Sequence, residues 1–144
     1  MAGLDDVLAT LGVGLSLGLG LAVIGSLASA TGCGDDCVEV ALDCDPLYEP
    51  TFANVHENTL VESCAVGSTC HTADARRGGL DLETADAAYA GLVDDGRVVA
   101  GDPSCSLLAQ RIASEGDDVM PPGAPLADAE RCAILQWIDA GAPR

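Results

Sequence analysis

Lysine is absent from this chain, and all six of its basic residues are arginines, set against 23 aspartates and glutamates for a formal net charge of -17. A surface so acidic repels phosphate backbones and anionic lipid headgroups, which excludes nucleic acid as a partner. Aromatics are scarce too, with one Trp, two Tyr and one Phe in 144 residues. That leaves few large side chains for a core and room for one small domain besides a targeting segment. No run alternates between apolar and polar residues for any length, and no internal repeat is present. A phosphate-cradling Gly-rich loop, a Gly-x-Ser-x-Gly turn and acids grouped around a nucleophile are all missing, so the usual hydrolase and nucleotide-enzyme signatures are excluded.

What is present begins with a run of 24 small and apolar residues, Val7 to Ala30, too rich in Gly for a packed soluble helix. It reads as a signal peptide or membrane anchor over residues 1–32. Ala30-Thr31-Gly32-Cys33 places small residues ahead of a cysteine, as at a bacterial lipoprotein cleavage site, with lipid on the Cys33 thiol. An uncleaved anchor is the rival, since the run is long enough to span a bilayer. Either way the protein is expected to be exported, as a periplasmic or cell-surface lipoprotein held at the membrane by its N-terminus.

In that oxidising setting the other six cysteines, at 37, 44, 64, 70, 105 and 132, carry meaning. Cys37 and Cys44 flank a short loop in a linker over residues 33–50 and are expected to pair with each other. Cys105 and Cys132 fall in two predicted helices and are expected to form a second disulfide. Cys64 and Cys70 end on His71, and two thiols closing on a Cys-His dipeptide are what covalent haem attachment needs. Five residues separate them here, where the usual signature has two. Three disulfides and no cofactor is the plainer reading of six cysteines, and a zinc site of Cys64, Cys70, His71 and His56 is a further alternative.

The domain is expected over residues 51–144, mainly helical with long connections. Thr51 offers an N-cap for a helix carrying Phe52, Val55 and Leu60, with His56 partly exposed on it. Thr84 caps a second helix with Tyr89 and Leu92 inward. Asp102-Pro103 opens a third, with Leu107, Leu108 and Ile112 inward. A fourth runs from Asp128 to about Ala140 and stops at Gly141. Between the last two, Met120-Pro121-Pro122-Gly123-Ala124-Pro125 packs three prolines into five residues, a stiff loop able to present Met120 at a fixed place. Met120 is the only methionine besides the first residue. A thioether is a soft iron ligand, although most methionines simply fill a core.

Cys70-His71, Gly78-Gly79-Leu80-Asp81-Leu82, Ala88-Tyr89-Ala90-Gly91-Leu92-Val93, Gly101-Asp102-Pro103, Met120-Pro121-Pro122-Gly123 and Trp137-Ile138-Asp139-Ala140-Gly141-Ala142 follow one another in this order. Together, over roughly Thr51 to Arg144, they resemble the c-type cytochrome superfamily, and in particular the small cytochrome-c-like domains of exported bacterial proteins. The resemblance implies a helical fold around one haem c, with His71 the proximal and Met120 the distal iron ligand and Cys64 and Cys70 holding the macrocycle. It also implies packing of the last helix across the first, and one-electron transfer to an unidentified redox protein. His56 is the alternative sixth ligand. A haem-free, disulfide-stapled extracellular module of the same fold is the alternative function.

Overall fold

The computed structural model describes residues 37–144. The expected signal or anchor segment and the lipidation of Cys33 lie outside the described residues. Four helices set the frame, and no strand occurs among the described residues beyond a single bridge between Val99 and Asp102. No helix among them is long and apolar enough to cross a membrane.

Helix α1, Phe52–Val55, begins where Thr51 turns to extended backbone and its hydroxyl accepts the Asn54 N–H at 3.3 Å. It continues without a break as a π-helix, His56–Cys64. Helix α2, Ala85–Tyr89, repeats the arrangement: Thr84 accepts from the Ala87 N–H at 3.3 Å, and a π-helical stretch Ala90–Asp94 follows. Both N-caps agree with the sequence reading; the π-helical continuations do not follow from a 3.6-residue period.

The third helix differs from expectation. Asp102 does not cap it; its carboxylate accepts the Cys105 N–H at 3.1 Å and closes a turn. Helix α3, Leu107–Ala113, starts one turn later behind Ser106, which is fully buried because its hydroxyl is committed to the Val99 N–H at 2.9 Å and the Asp102 carbonyl at 2.8 Å. Cys105 therefore precedes the helix, and Leu107, expected inward, is 41% exposed. Helix α4, Asp128–Asp139, starts as read, with the Glu130 carboxylate accepting the Ala127 N–H at 2.9 Å. That is the half of a capping box that an alanine N-cap permits.

Three of the four aromatic residues meet in one place, which is how so few of them suffice. Phe52 of α1 lies 5.5 Å from Trp137 of α4 and meets Tyr89 of α2 edge-on at 5.0 Å between ring centroids. Trp137 is wholly buried, with its indole N–H satisfied by the Pro143 carbonyl at 2.8 Å. The expected packing of the last helix across the first is therefore present. Val55, Leu60, Leu92, Ile112, Ile134 and Ile138 complete the core.

The predicted disulfide pairing is corrected. The bridges are Cys37–Cys105 and Cys44–Cys132, with Cα separations of 4.4 and 6.0 Å. Residues 37–50 contain no helix or strand, and each of their two cysteines is held against a partner in the body of the domain rather than against the other. The segment is a strap rather than a closed loop. Val38 donates to the Ser104 carbonyl and Leu47 to the Ala129 carbonyl, each at 2.9 Å, and the Gln136 amide donates to the carbonyls of Leu42 at 3.2 Å and Cys44 at 3.0 Å. Val40, Leu42 and Tyr48 pack on the core, so the packed unit reaches back before Thr51.

Candidate functional site

The first wall of the site comes from the end of the π-helix. Its last residue, Cys64, is followed by a five-residue excursion that returns to place Cys70 and His71 beside it. One backbone bond closes the excursion, the His71 N–H donating to the Cys64 carbonyl at 3.1 Å, and the Arg77 N–H donates to the Cys70 carbonyl at 3.2 Å to close the turn that follows. The tip of the excursion, Val66 to Thr69, is exposed. Extra residues here add length to a surface loop, which is entropically inexpensive, and leave the ends together. Cys64 and Cys70 are both free thiols.

The second wall is the Gly78-to-Leu82 stretch and the π-helical end of α2. Gly78 and Gly79 both take positive φ, 64° and 73°, turning the chain back toward the core. Leu80 then comes so close to Gly91 that a Cβ there would sit 2.7 Å from its Cδ1. Arg97 ties these pieces, donating to the Gly91 carbonyl at 2.7 Å, to the Gly78 carbonyl at 3.3 Å and to the Asp95 carboxylate at 3.0 Å. The third wall is α3 and the Pro-rich loop, whose Met120 N–H donates to the Arg111 carbonyl at 2.9 Å. The Met120–Pro121 peptide is cis.

These walls enclose a cavity of about 790 Å³, within the range of small-molecule and cofactor sites. Cys64, Cys70 and His71, which lie within eight residues of one another, line it together with Met120, 49 residues further along the chain. Leu80, Leu82, Leu92, Leu107, Leu108 and Ile112 supply its aliphatic part, and Asp117 a carboxylate. Three of the six arginines, Arg77, Arg97 and Arg111, also reach it in a chain of net charge -17. Sequence reasoning did not find these arginines; only the fold brings them to one opening.

The chemistry of the lining is uneven. Burial, and after it the neighbouring Cys70 and Glu130, pushes the Cys64 thiol up to about 11. His71 has its Nδ1 buried without a hydrogen-bond partner. An orphaned imidazole nitrogen in a cavity wall costs about 1–3 kcal/mol unless a ligand meets the ring, and a metal-bound group beside two thiols and a thioether fits that donor set.

His56 is corrected. It is buried, 8% exposed, with Nε2 3.2 Å from the Leu82 carbonyl, and it does not line the cavity. The expected alternatives that need it at the site, a zinc centre or a sixth iron ligand, are not assembled. Among the described residues no group of three or more His, Cys, Asp or Glu side chains is gathered for a metal ion. A second cavity of about 670 Å³, between the strap and the α3 to α4 connection, contains none of the four site residues.

Residues 68–123 match a family model described as Planctomycete cytochrome C. The stretch opens just before Cys70 and closes just beyond Met120, so it takes in His71 and leaves Cys64, α1 and α4 outside. Comparison with curated proteins found no match, and neither did comparison with solved structures.

Proposed function

Because the chain carries a cytochrome c-like domain, we propose that it is a monohaem electron carrier working outside the cytoplasm. In this reading Cys64 and Cys70 hold haem c, and His71 and Met120 are its axial ligands. The observation that carries it is the convergence of these four residues on one cavity. Bound haem c supplies one-electron iron chemistry. The chain's own residues do the rest. The aliphatic lining excludes water, Met120 is presented from a loop anchored on α3, and Arg77, Arg97 and Arg111 supply positive charge for the group's two carboxylates. The closure of Cys64 onto His71 supports attachment through the widened motif, since its two ends meet as they would with a shorter loop.

Two disulfides fit an oxidising compartment. Tethering through the N-terminal apolar segment or lipid on Cys33, and exchange of electrons with another redox protein, complete the proposal. A second reading, a haem-free module, draws on those same disulfides, which hold the fold without a cofactor. Optical spectra of the exported protein with Met120→Ala beside the wild type test the assignment. The near-infrared band of thioether-to-ferric-iron ligation should vanish and the reduction potential should fall. Absence of any haem spectrum in both proteins leaves the haem-free module standing; haem present with an unchanged band removes Met120 from the iron.

A further inference from the structure

His56 is the only histidine outside the motif, and its hydrogen bond leads back to the motif. A carbonyl can only accept, so Nε2 carries the proton and donates it to the Leu82 oxygen at 3.2 Å. The Leu82 N–H donates to the His71 carbonyl at 2.8 Å, and the His71 N–H donates to the Cys64 carbonyl at 3.1 Å. Cys64 is the last residue of the π-helix that His56 begins. The bonds therefore form a closed ring: from the start of that helix across to Leu82, on to His71, and back to the helix end. Three of its four members, Leu82, His71 and Cys64, line the cavity. The fourth lies behind the wall, buried against Phe52 at 5.9 Å between ring centroids, and contributes the only side chain in the ring.

We infer that His56 is a positioning residue for His71, holding it in register with Cys64 and Leu82 across the widened cysteine motif. The inference rests on the reading of His71 as an iron ligand. Its physical basis is the length of the excursion between the two thiols. With five intervening residues, the covalent chain from Cys64 to His71 constrains the histidine weakly. The single backbone bond between them would act as a hinge. The Leu82 strand of the ring supplies the second attachment that stops His71 from turning about that hinge, and His56 fixes Leu82 to the helix on which Cys64 sits. A tether from a buried, protonated ring nitrogen to an otherwise enclosed carbonyl is specific, since breaking it leaves both groups unsatisfied in the core.

The experiment compares His56→Gln, which keeps an N–H donor of similar reach, with His56→Leu, which fills the space without one. Amide hydrogen exchange on the haem-free protein should show protection at Leu82 and His71 falling about tenfold in His56→Leu and largely restored in His56→Gln. In haem-loaded protein His56→Leu should shift the reduction potential and broaden the axial-ligand signature, with His56→Gln again near wild type. Equal protection at Leu82 and His71 in all three proteins overturns the inference, and so does equal loss in Gln and Leu variants with no rescue. Failure of the wild type to take up haem would instead overturn the electron-carrier reading, while the exchange data still decide whether His56 holds His71.

Discussion

Removing the bridge between the strap and α4, with Cys44→Ser and Cys132→Ala together, tests the disulfide framework quantitatively. Taken alone this bridge closes 88 residues and Cys37–Cys105 closes 68, worth about 4.6 and 4.4 kcal/mol in the chain-entropy model. They are not independent. Once one is formed, the other closes only the shorter circuit from Cys37 to Cys44 and from Cys105 to Cys132, roughly 34 residues, worth about 3.8 kcal/mol. The first bridge removed should therefore cost about 3.8 kcal/mol and the second about 4.5 kcal/mol, whichever goes first. The first loss corresponds to a fall of roughly 15 °C in Tm for a unit of this size. Urea and thermal unfolding of the two single-bridge variants and the bridgeless one, with non-reducing peptide maps, give the answer. Pairing of Cys37 with Cys44 and of Cys105 with Cys132 would instead make two separate loops, the smaller worth only about 2.3 kcal/mol, with strictly additive costs. Additive behaviour, or those peptides in the map, refutes the framework.

Gly91→Val should drive Leu80 out of its place, because even a Cβ at position 91 would lie 2.7 Å from its Cδ1. The expected cost is about 2 kcal/mol in urea unfolding, with reduced haem uptake because Leu80 is displaced at the cavity wall. In haem-free, thiol-reduced protein, burial lets Cys64 keep its proton in the folded state up to about pH 11, against 9.0 for an ordinary thiol. Since the folded state holds that proton more tightly, the associated stability is complete below about pH 9 and is lost as pH rises through 11, about 3 kcal/mol in all. The difference between wild type and Cys64→Ala in urea unfolding at pH 8 and pH 11 should show it; a pH-independent difference contradicts it.

The parts of the fold that read correctly are those set by neighbours in the chain. Thr51 and Thr84 cap helices by accepting an N–H three residues on. The packing of the last helix across the first, where Phe52 meets Trp137, is what the family resemblance implies. Cys64, Cys70, His71 and Met120, singled out through motif order rather than spacing, line one cavity. What escaped depends on distant backbone. His56 looked exposed because its partner is a carbonyl 26 residues away, which no side-chain pattern announces. The strap read as a linker with a loop closed on itself, because its attachment to the domain runs through bridges to Cys105 and Cys132 and through carbonyls 92 and 94 residues from Gln136. Four cysteines allow three pairings, and the two bridges formed join the strap to the region before α3 and to α4. Asp102 offered a good N-cap but met the Cys105 N–H in a turn, where buried Ser106 had already claimed the neighbouring backbone.

The central claim, covalent haem in the cavity of Cys64, Cys70, His71 and Met120, is tested most directly by the denatured intact mass of protein exported from a cytochrome-maturing host. The account predicts the added mass of one haem retained after unfolding, together with the loss of hydrogens expected for two disulfides. A mass equal to that of the apoprotein with disulfides alone would contradict it.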